Sequence, residues 1–175
     1  MLPEFDTITN LSNNGLTGMT PDKLYQELQQ EFDDTIESIK RYGGFYIGRY
    51  ETGNLSQSKF VIRQNNSDIV GKSWYSIYTK IKYLGLNQNV KTNMIWGCLW
   101  DETLQWLVDR GNKDYSKALN IYDLAGNAWE WTLEGSGTAG RSIRGGGYDM
   151  SCFYVPVTLR LNTVVPTYDY PNTRL

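Results

Sequence analysis

The sequence predicts a single α+β domain, because helical patterns occupy its first two-thirds and short, turn-rich segments occupy the rest. With 175 residues the chain has enough length for one core of ordinary size but not for two. Eight glycines fall between Gly111 and Gly147, where helical periodicity disappears. We therefore expect residues 1–19, rich in Asn, Thr, Ser and Gly, to form a lead-in arm, and residues 20–175 to form the domain.

The first helix is predicted to run from Pro21 to about Tyr42. Thr20 is a favourable N-cap, Pro21 suits the first helical position, and Gly43 supplies the stop. Apolar residues at spacings of three and four then place one stripe along the helix. This stripe comprises Leu24, Leu28, Phe32, Ile36 and Ile39.

Two short strands and two further helices are predicted next. The aromatic and β-branched run Phe45–Glu51 favours a strand, and Phe60–Ile62 favours a hairpin partner or an extended segment. The second helix begins after Ser73 and the third ends at Gly111. Their apolar stripes are Trp74, Ile77, Tyr78, Ile81 and Leu84, and Trp100, Leu104 and Leu107.

Composition excludes several classes of function. The chain has no histidine, which excludes Ser-His-Asp triads, Cys-His nucleophiles and ordinary catalytic zinc sites. A net charge of −2 gives no support for nucleic-acid binding. No apolar run is long enough to span a membrane, and residues 1–4 do not begin a secretory signal. Cys98 and Cys152 form no CxxC motif, and a disulfide between them is left open.

Three sequence stretches resemble a known family. Residues 44–51 read GFYIGRYE, residues 122–132 read YDLAGNAWEWT, and residues 141–148 read RSIRGGGY. In this order they resemble the formylglycine-generating-enzyme (sulfatase-modifying factor) domain, a variant of the C-type lectin fold. The resemblance runs from about Tyr42 to the end and implies that fold for the chain.

The resemblance does not carry over the enzymatic activity of that family. Its enzymes use two cysteines beyond the RGG run to bind copper and oxidise a substrate thiol. The matching positions here are Met150 and Val155, and Cys152 stands out of register without a second thiol nearby. Because one thiolate cannot provide two-coordinate Cu(I), we expect a protein that is not an enzyme and requires no cofactor.

The resemblance also implies a structural calcium site. The matching side chains are Asp123 and Glu130, with the backbone carbonyls of Gly126 and Ala128 between them. Hard oxygen ligands suit Ca²⁺. The alternative is that Asp123 caps a turn while Glu130 pairs with an arginine such as Arg144.

The composition changes at Gly147. Thirty residues of Lys, Glu, Gln or Trp precede this glycine and none follows it. Replacement of adenines in asparagine codons cannot produce these four residue types, and it produces most of those present, Met150 being the exception. The segment 147–173 therefore resembles the variable region of the target proteins of diversity-generating retroelements, which use the same fold type.

This second resemblance implies a ligand-binding protein with a hypervariable C-terminal surface. A skeleton of RGG, Tyr148, Ser151, Pro156 and Arg160 would separate the changeable positions. The predicted ligand-binding residues are Gly147, Asp149, Met150, Cys152, Phe153, Tyr154, Val155, Leu159, Leu161, Thr163, Val164, Val165, Tyr168, Asp169 and Tyr170.

The expected partner is a protein or glycan on another cell or particle, and the expected location is a phage particle or a bacterial surface. Attachment to a larger carrier is left open. The alternation Val155, Val157, Leu159, Leu161 also fits a plain strand with one face in the core. The alternatives are thus an undiversified structural or carbohydrate-binding lectin-like domain and, least favoured, a formylglycine-generating oxidase.

Overall fold

The computed structural model contains three helices and eight strands within the residues it describes, which confirms the α+β prediction. The described residues are 16–50, 52–56, 59–64, 71–82, 84, 90–111, 117–119, 121–122, 124, 126, 128–136, 140–147, 158–164 and 173–174. The helices are α1 (Pro21–Tyr42), α2 (Trp74–Ile81) and α3 (Gly97–Asp109). The strands are β1 (Thr52–Ser56), β2 (Lys59–Ile62), β3 (Lys117–Ala118), β4 (Ile121–Tyr122), β5 (Trp129–Ser136), β6 (Gly140–Arg144), β7 (Leu161–Val164) and β8 (Thr173–Arg174).

Helix α1 has the start and the end that the sequence predicts. The Thr20 hydroxyl accepts a hydrogen bond from the Lys23 backbone N–H at 3.3 Å. At the other end Gly43 adopts a left-handed conformation with φ 79°, and its N–H donates to the Ile39 carbonyl at 2.8 Å. Both ends therefore satisfy backbone groups that the helix itself leaves without partners.

Helices α2 and α3 confirm the predicted positions with one difference in length. Ser73 caps α2 by accepting from the Ser76 N–H at 3.4 Å. The helix ends at Ile81, so Leu84 lies in the following turn although it fits the helical stripe. Gly111, with φ 75°, follows the end of α3 as predicted.

The predicted strand over Phe45–Glu51 is wrong for residues 45–50, which form no strand; Glu51 lies outside the described residues. Residues 44–48 are irregular, and Tyr46 is fully exposed. The strand instead occupies Thr52–Ser56 and pairs antiparallel with β2. Only two residues separate β1 from β2, and such a short connection sets the register of the pair. Phe60, Val61 and Ile62 therefore pair with residues of β1, and the aromatic run over residues 45–50 has no pairing with them. Phe60–Ile62 does lie in a hairpin strand, but its partner is β1 and not the predicted strand over Phe45–Glu51.

A four-stranded sheet in the order β7-β6-β5-β8 forms the C-terminal part of the fold. Strands β5 and β6 are antiparallel, with Glu130 opposite Arg144 and Trp131 opposite Ile143. Strand β7 pairs antiparallel with β6, which places Leu161 opposite Ile143. Strand β6 thus lies between β5, which contains Trp129, Glu130 and Trp131, and β7 in the C-terminal part of the chain.

The main hydrophobic core joins α1 and α2 to this sheet. Its side chains include Leu24 and Leu28 of α1, Trp74 of α2 and Leu133 of β5. The Trp74 indole N–H donates to the Thr132 carbonyl at 2.8 Å, which fixes α2 on β5. Leu16 is buried in the same cluster, so the chain contacts the core before α1 begins. A second cluster consists of Trp100, Leu104, Leu107, Ile121 and Leu124.

A buried arginine takes part in the main core. Arg141 on β6 is 0% exposed, and its guanidinium carbon lies 4.2 Å from the centre of the Trp74 ring. It donates to the Leu133 carbonyl at 3.2 Å. A charge at this depth requires such cation–π and carbonyl contacts, because burial disfavours the charged form and lowers the pKa of Arg141.

No described helix is both long enough and apolar enough to cross a bilayer.

Candidate functional site

The Arg144-Gly145-Gly146 run forms a buried turn at the end of β6. Gly145 and Gly146 have φ values of 88° and 86°, a region that side-chain-bearing residues rarely adopt. A Cβ on Gly145 would also lie 3.2 Å from the Leu124 carbonyl oxygen. The Gly145 carbonyl accepts from the Gly126 N–H at 2.8 Å. The two glycines therefore bring the RGG turn against the loop that precedes β5.

Arg144 is the centre of an ion-pair cluster. Its side chain is 0% exposed, and Nη2 lies 3.1 Å from Asp101 Oδ1 on α3 and 3.3 Å from Glu134 Oε2 on β5. The second arginine, Arg160, contacts the other oxygen of each carboxylate: it pairs with Asp101, and its Nε lies 2.7 Å from Glu134 Oε1. Two positive and two negative groups thus balance one another, as a buried charge requires.

The cluster also holds residues 158–160, which precede β7. Arg144 Nη1 donates to the Thr158 carbonyl at 3.0 Å. Together with the Arg160 ion pairs, this bond attaches the residues before β7 to α3, β5 and β6. The Nε atom of Arg144 has no hydrogen-bond partner among the described residues, so one donor of the cluster remains unsatisfied there.

Two predicted ligand-binding residues flank Arg160 and are exposed. Leu159 is 36% exposed and Leu161 is 41% exposed. Arg160, itself 43% exposed, contacts the cluster from its position between these two leucines.

Three of the other predicted ligand-binding residues lie in the described part of the chain. Thr163 and Val164 lie on β7. Gly147 is buried and therefore offers little surface to a ligand. The rest lie outside the described residues: Asp149, Met150, Cys152, Phe153, Tyr154, Val155, Val165, Tyr168, Asp169 and Tyr170.

The calcium ligands implied by the resemblance are only partly described. Glu130 is half-buried on β5, and Asp123 lies outside the described residues. Within the described part of the chain, no group of three or more His, Cys, Asp or Glu side chains is arranged to hold a metal. The carboxylates that pair with Arg144 are Asp101 and Glu134, so the proposed Glu130–Arg144 ion pair is not the contact made by this arginine.

Glu130 also borders a cavity between the two hydrophobic clusters. The cavity has a volume of about 130 Å³ and is lined mainly by apolar and aromatic residues, including Trp100 and Met94. Tyr50 and Tyr122, which are stacked with centroids 5.1 Å apart, form part of its wall.

Asp101 and Glu134 were not predicted from the sequence. The two residues are 33 positions apart and belong to a helix and a strand with no shared motif. One signal was Gly97 at the start of α3: a Cβ there would lie 2.1 Å from Glu134 Oε2. A glycine at the first position of a helix can thus indicate the close approach of another side chain. Its neighbour Cys98 is a free, exposed cysteine.

Comparison with known proteins adds no assignment. A scan against protein-family models finds no match, and a search of curated proteins finds none.

Proposed function

We propose that this chain is a non-enzymatic ligand-binding protein with the formylglycine-generating-enzyme type of C-type lectin fold. Its C-terminal segment would present a recognition surface diversified by a retroelement. The observation that carries the proposal is the arrangement at residues 158–161, where scaffold side chains hold the chain while Leu159 and Leu161 remain exposed.

A diversified surface requires that the fold be independent of the residues that change. Arg144, Gly145 and Gly146 are buried and keep the turn, and the carboxylates that hold Arg160 belong to α3 and β5. Exposed side chains contribute little to the free energy of folding, so they can vary while the scaffold remains intact. Antibody loops on a rigid sandwich follow the same principle.

The ligand would be a protein or glycan on another cell or particle, and the protein itself would belong to a phage particle or a bacterial surface, as the resemblance implies. The non-enzymatic character rests on the family resemblance, by which Met150 and Val155 match the positions of the copper-binding cysteines. A structural calcium ion held by Asp123 and Glu130 is compatible with this function, because it would stabilise the scaffold rather than take part in chemistry.

A display library tests whether the segment tolerates diversification. Six positions are randomised with the residues that adenine replacement can produce: Asp149, Phe153, Tyr154, Leu159, Leu161 and Tyr168. The control library randomises six buried scaffold positions: Leu24, Leu28, Trp74, Trp131, Leu133 and Ile143. We expect most clones of the first library to resist protease and most of the control library to be degraded.

Selection against a defined protein then tests the binding role. With biotinylated lysozyme as the probe, the first library should give clones that bind it and lose binding when the selected residues are restored. A first library that is degraded as often as the control, or that gives no lysozyme binder, would contradict the proposal.

The alternative is an undiversified lectin-like domain with a structural or carbohydrate-binding role. The observation that favours it is the pairing of Leu161–Val164 with β6, since an ordinary sheet strand needs no variable function. The encoding DNA distinguishes the two. Diversification requires a nearby reverse-transcriptase gene and a near-copy of the final codons that differs at adenines, whereas the alternative requires neither.

A further inference from the structure

We propose that Arg160 is a positioning residue for residues 158–164, the described part of the displayed C-terminal segment. It acts through its ion pairs with Asp101 and Glu134, the carboxylates that also bind Arg144. This inference rests on the proposed function, because it explains how residues 158–164 are presented to a ligand. Arg160 does not need to contact that ligand itself.

The first argument is the geometry of the cluster. Each carboxylate contacts both arginines through different oxygens: Asp101 uses Oδ1 for Arg144 and Oδ2 for Arg160, and Glu134 uses Oε2 and Oε1 in the same way. Arg160 therefore contacts α3 and β5 at once. A planar guanidinium can make such a double contact, whereas a lysine ammonium acts as a single point charge.

The second argument is the division of burial between the two arginines. Arg144 is 0% exposed, while Arg160 is 43% exposed. Loss of Arg144 would remove a fully buried side chain together with its contacts to Asp101 and Glu134 and its hydrogen bond to the Thr158 carbonyl, so the fold would be destabilised. Loss of Arg160 leaves Arg144 still paired with both carboxylates, so the scaffold should persist while the C-terminal segment loses its side-chain attachment.

The third argument is the position of Arg160 along the chain. It lies directly between Leu159 and Leu161, two exposed residues of the segment, and two residues after Thr158, whose carbonyl accepts from Arg144. Fixing Arg160 and Thr158 therefore restricts the backbone that orients both leucines. Restricting a binding segment before the ligand arrives reduces the entropy lost on binding.

The test is amide hydrogen exchange of the whole chain in Arg160→Gln and Arg160→Lys. In low salt, Arg160→Gln should accelerate exchange over residues 158–164 by about five- to tenfold, as expected for the loss of two partly exposed ion pairs. Arg160→Lys should restore part of the protection. At about 1 M salt the Debye length falls to ~3 Å, so the difference between wild type and Arg160→Gln should shrink.

Lys91→Gln provides the matched control. Lys91 forms an ion pair of 2.8 Å with Asp34 on α1, at the surface, and 89% of its side chain is exposed. Removing it should leave exchange over residues 158–164 unchanged. Unchanged exchange in Arg160→Gln, or an acceleration spread evenly over α1, α2 and the sheet, would overturn the proposal.

The binding role is tested separately in a lysozyme-binding clone. There Arg160→Gln should weaken binding about tenfold and Arg160→Lys should recover part of it, by the loss of preorganisation. If exchange over residues 158–164 responds to Arg160→Gln but no clone binds lysozyme, the attachment by Arg160 is supported and the recognition function is refuted. Binders whose affinity does not respond to Arg160→Gln would refute the positioning role alone.

Discussion

Replacing Gly97 by alanine should destabilise the fold although alanine is the better helix former. Gly97 is the first residue of α3, and an added Cβ would lie 2.1 Å from Glu134 Oε2, 2.6 Å from its Cδ and 3.1 Å from its Cβ. Rotation of the carboxylate alone would not relieve the contact with Glu134 Cβ. The Glu134 side chain must therefore move, which separates it from Arg144 and Arg160.

The expected magnitude follows from two opposing contributions. Inserting a methyl group into a filled space costs about 1–3 kcal/mol. Alanine regains at most about 1 kcal/mol of helix propensity over glycine, and less at a helix end. Gly97→Ala should therefore lower the free energy of unfolding by about 1–2 kcal/mol, which in a chain of this length lowers Tm by roughly 2–8 °C.

Thermal and urea unfolding of a double-mutant cycle measure this effect. In Glu134→Ala the two closest atoms, Oε2 and Cδ, are gone and only the 3.1 Å contact with Cβ remains. Adding Gly97→Ala in that background should therefore cost much less, with a coupling energy of about 1–2 kcal/mol. The control is Gly44→Ala, because a Cβ on Gly44 would meet nothing within 4 Å. Equal effects of Gly97→Ala in both backgrounds would refute the reasoning.

Three further predictions concern buried groups. Arg144→Gln should lower the urea-derived free energy of unfolding by about 1.5–3 kcal/mol, because the buried guanidinium's bonds to Asp101, Glu134 and the Thr158 carbonyl are lost; a change below about 0.5 kcal/mol would contradict it. Tyr75 is 0% exposed, and its hydroxyl has no hydrogen-bond partner among the described residues. Tyr75→Phe should therefore be neutral or stabilise by about 1 kcal/mol at pH 7. Burial, partly offset by Arg141, raises the pKa of Tyr75 to about 12. Its contribution to stability is therefore complete below about pH 10 and is lost as the pH rises towards 12, and Tyr75→Phe should reduce this alkaline loss of stability in urea titrations; an unchanged pH profile would contradict it. Leu133→Ala, at a 0% exposed site, should cost about 2–5 kcal/mol, whereas Leu161→Ala, at a 41% exposed site, should cost under about 1 kcal/mol; equal losses in thermal unfolding would mean that Leu161 belongs to the core.

Interactions between near neighbours in the sequence were predicted correctly because their partners lie within one helical turn. The Thr20 cap bonds to Lys23, three residues away, and the Gly43 N–H bonds to Ile39, four residues away. Ser73 likewise caps α2 through Ser76. The strand prediction over residues 45–51 failed because strand propensity does not identify the partner of a strand. The partner of β2 is β1, which immediately precedes it in the chain, and the short connection between them sets this pairing.

The sequence by itself determined the α+β class, the boundaries of α1 and the exclusion of histidine chemistry. It also showed the change in composition at Gly147. Only the tertiary structure decided that Asp101, Glu134, Arg144 and Arg160 meet, since 59 residues separate the first from the last and no local pattern links them. Ion pairs of this kind depend on where a helix and a sheet are packed together. That packing is fixed by the buried apolar residues, so the charged cluster that holds residues 158–160 is a consequence of the core.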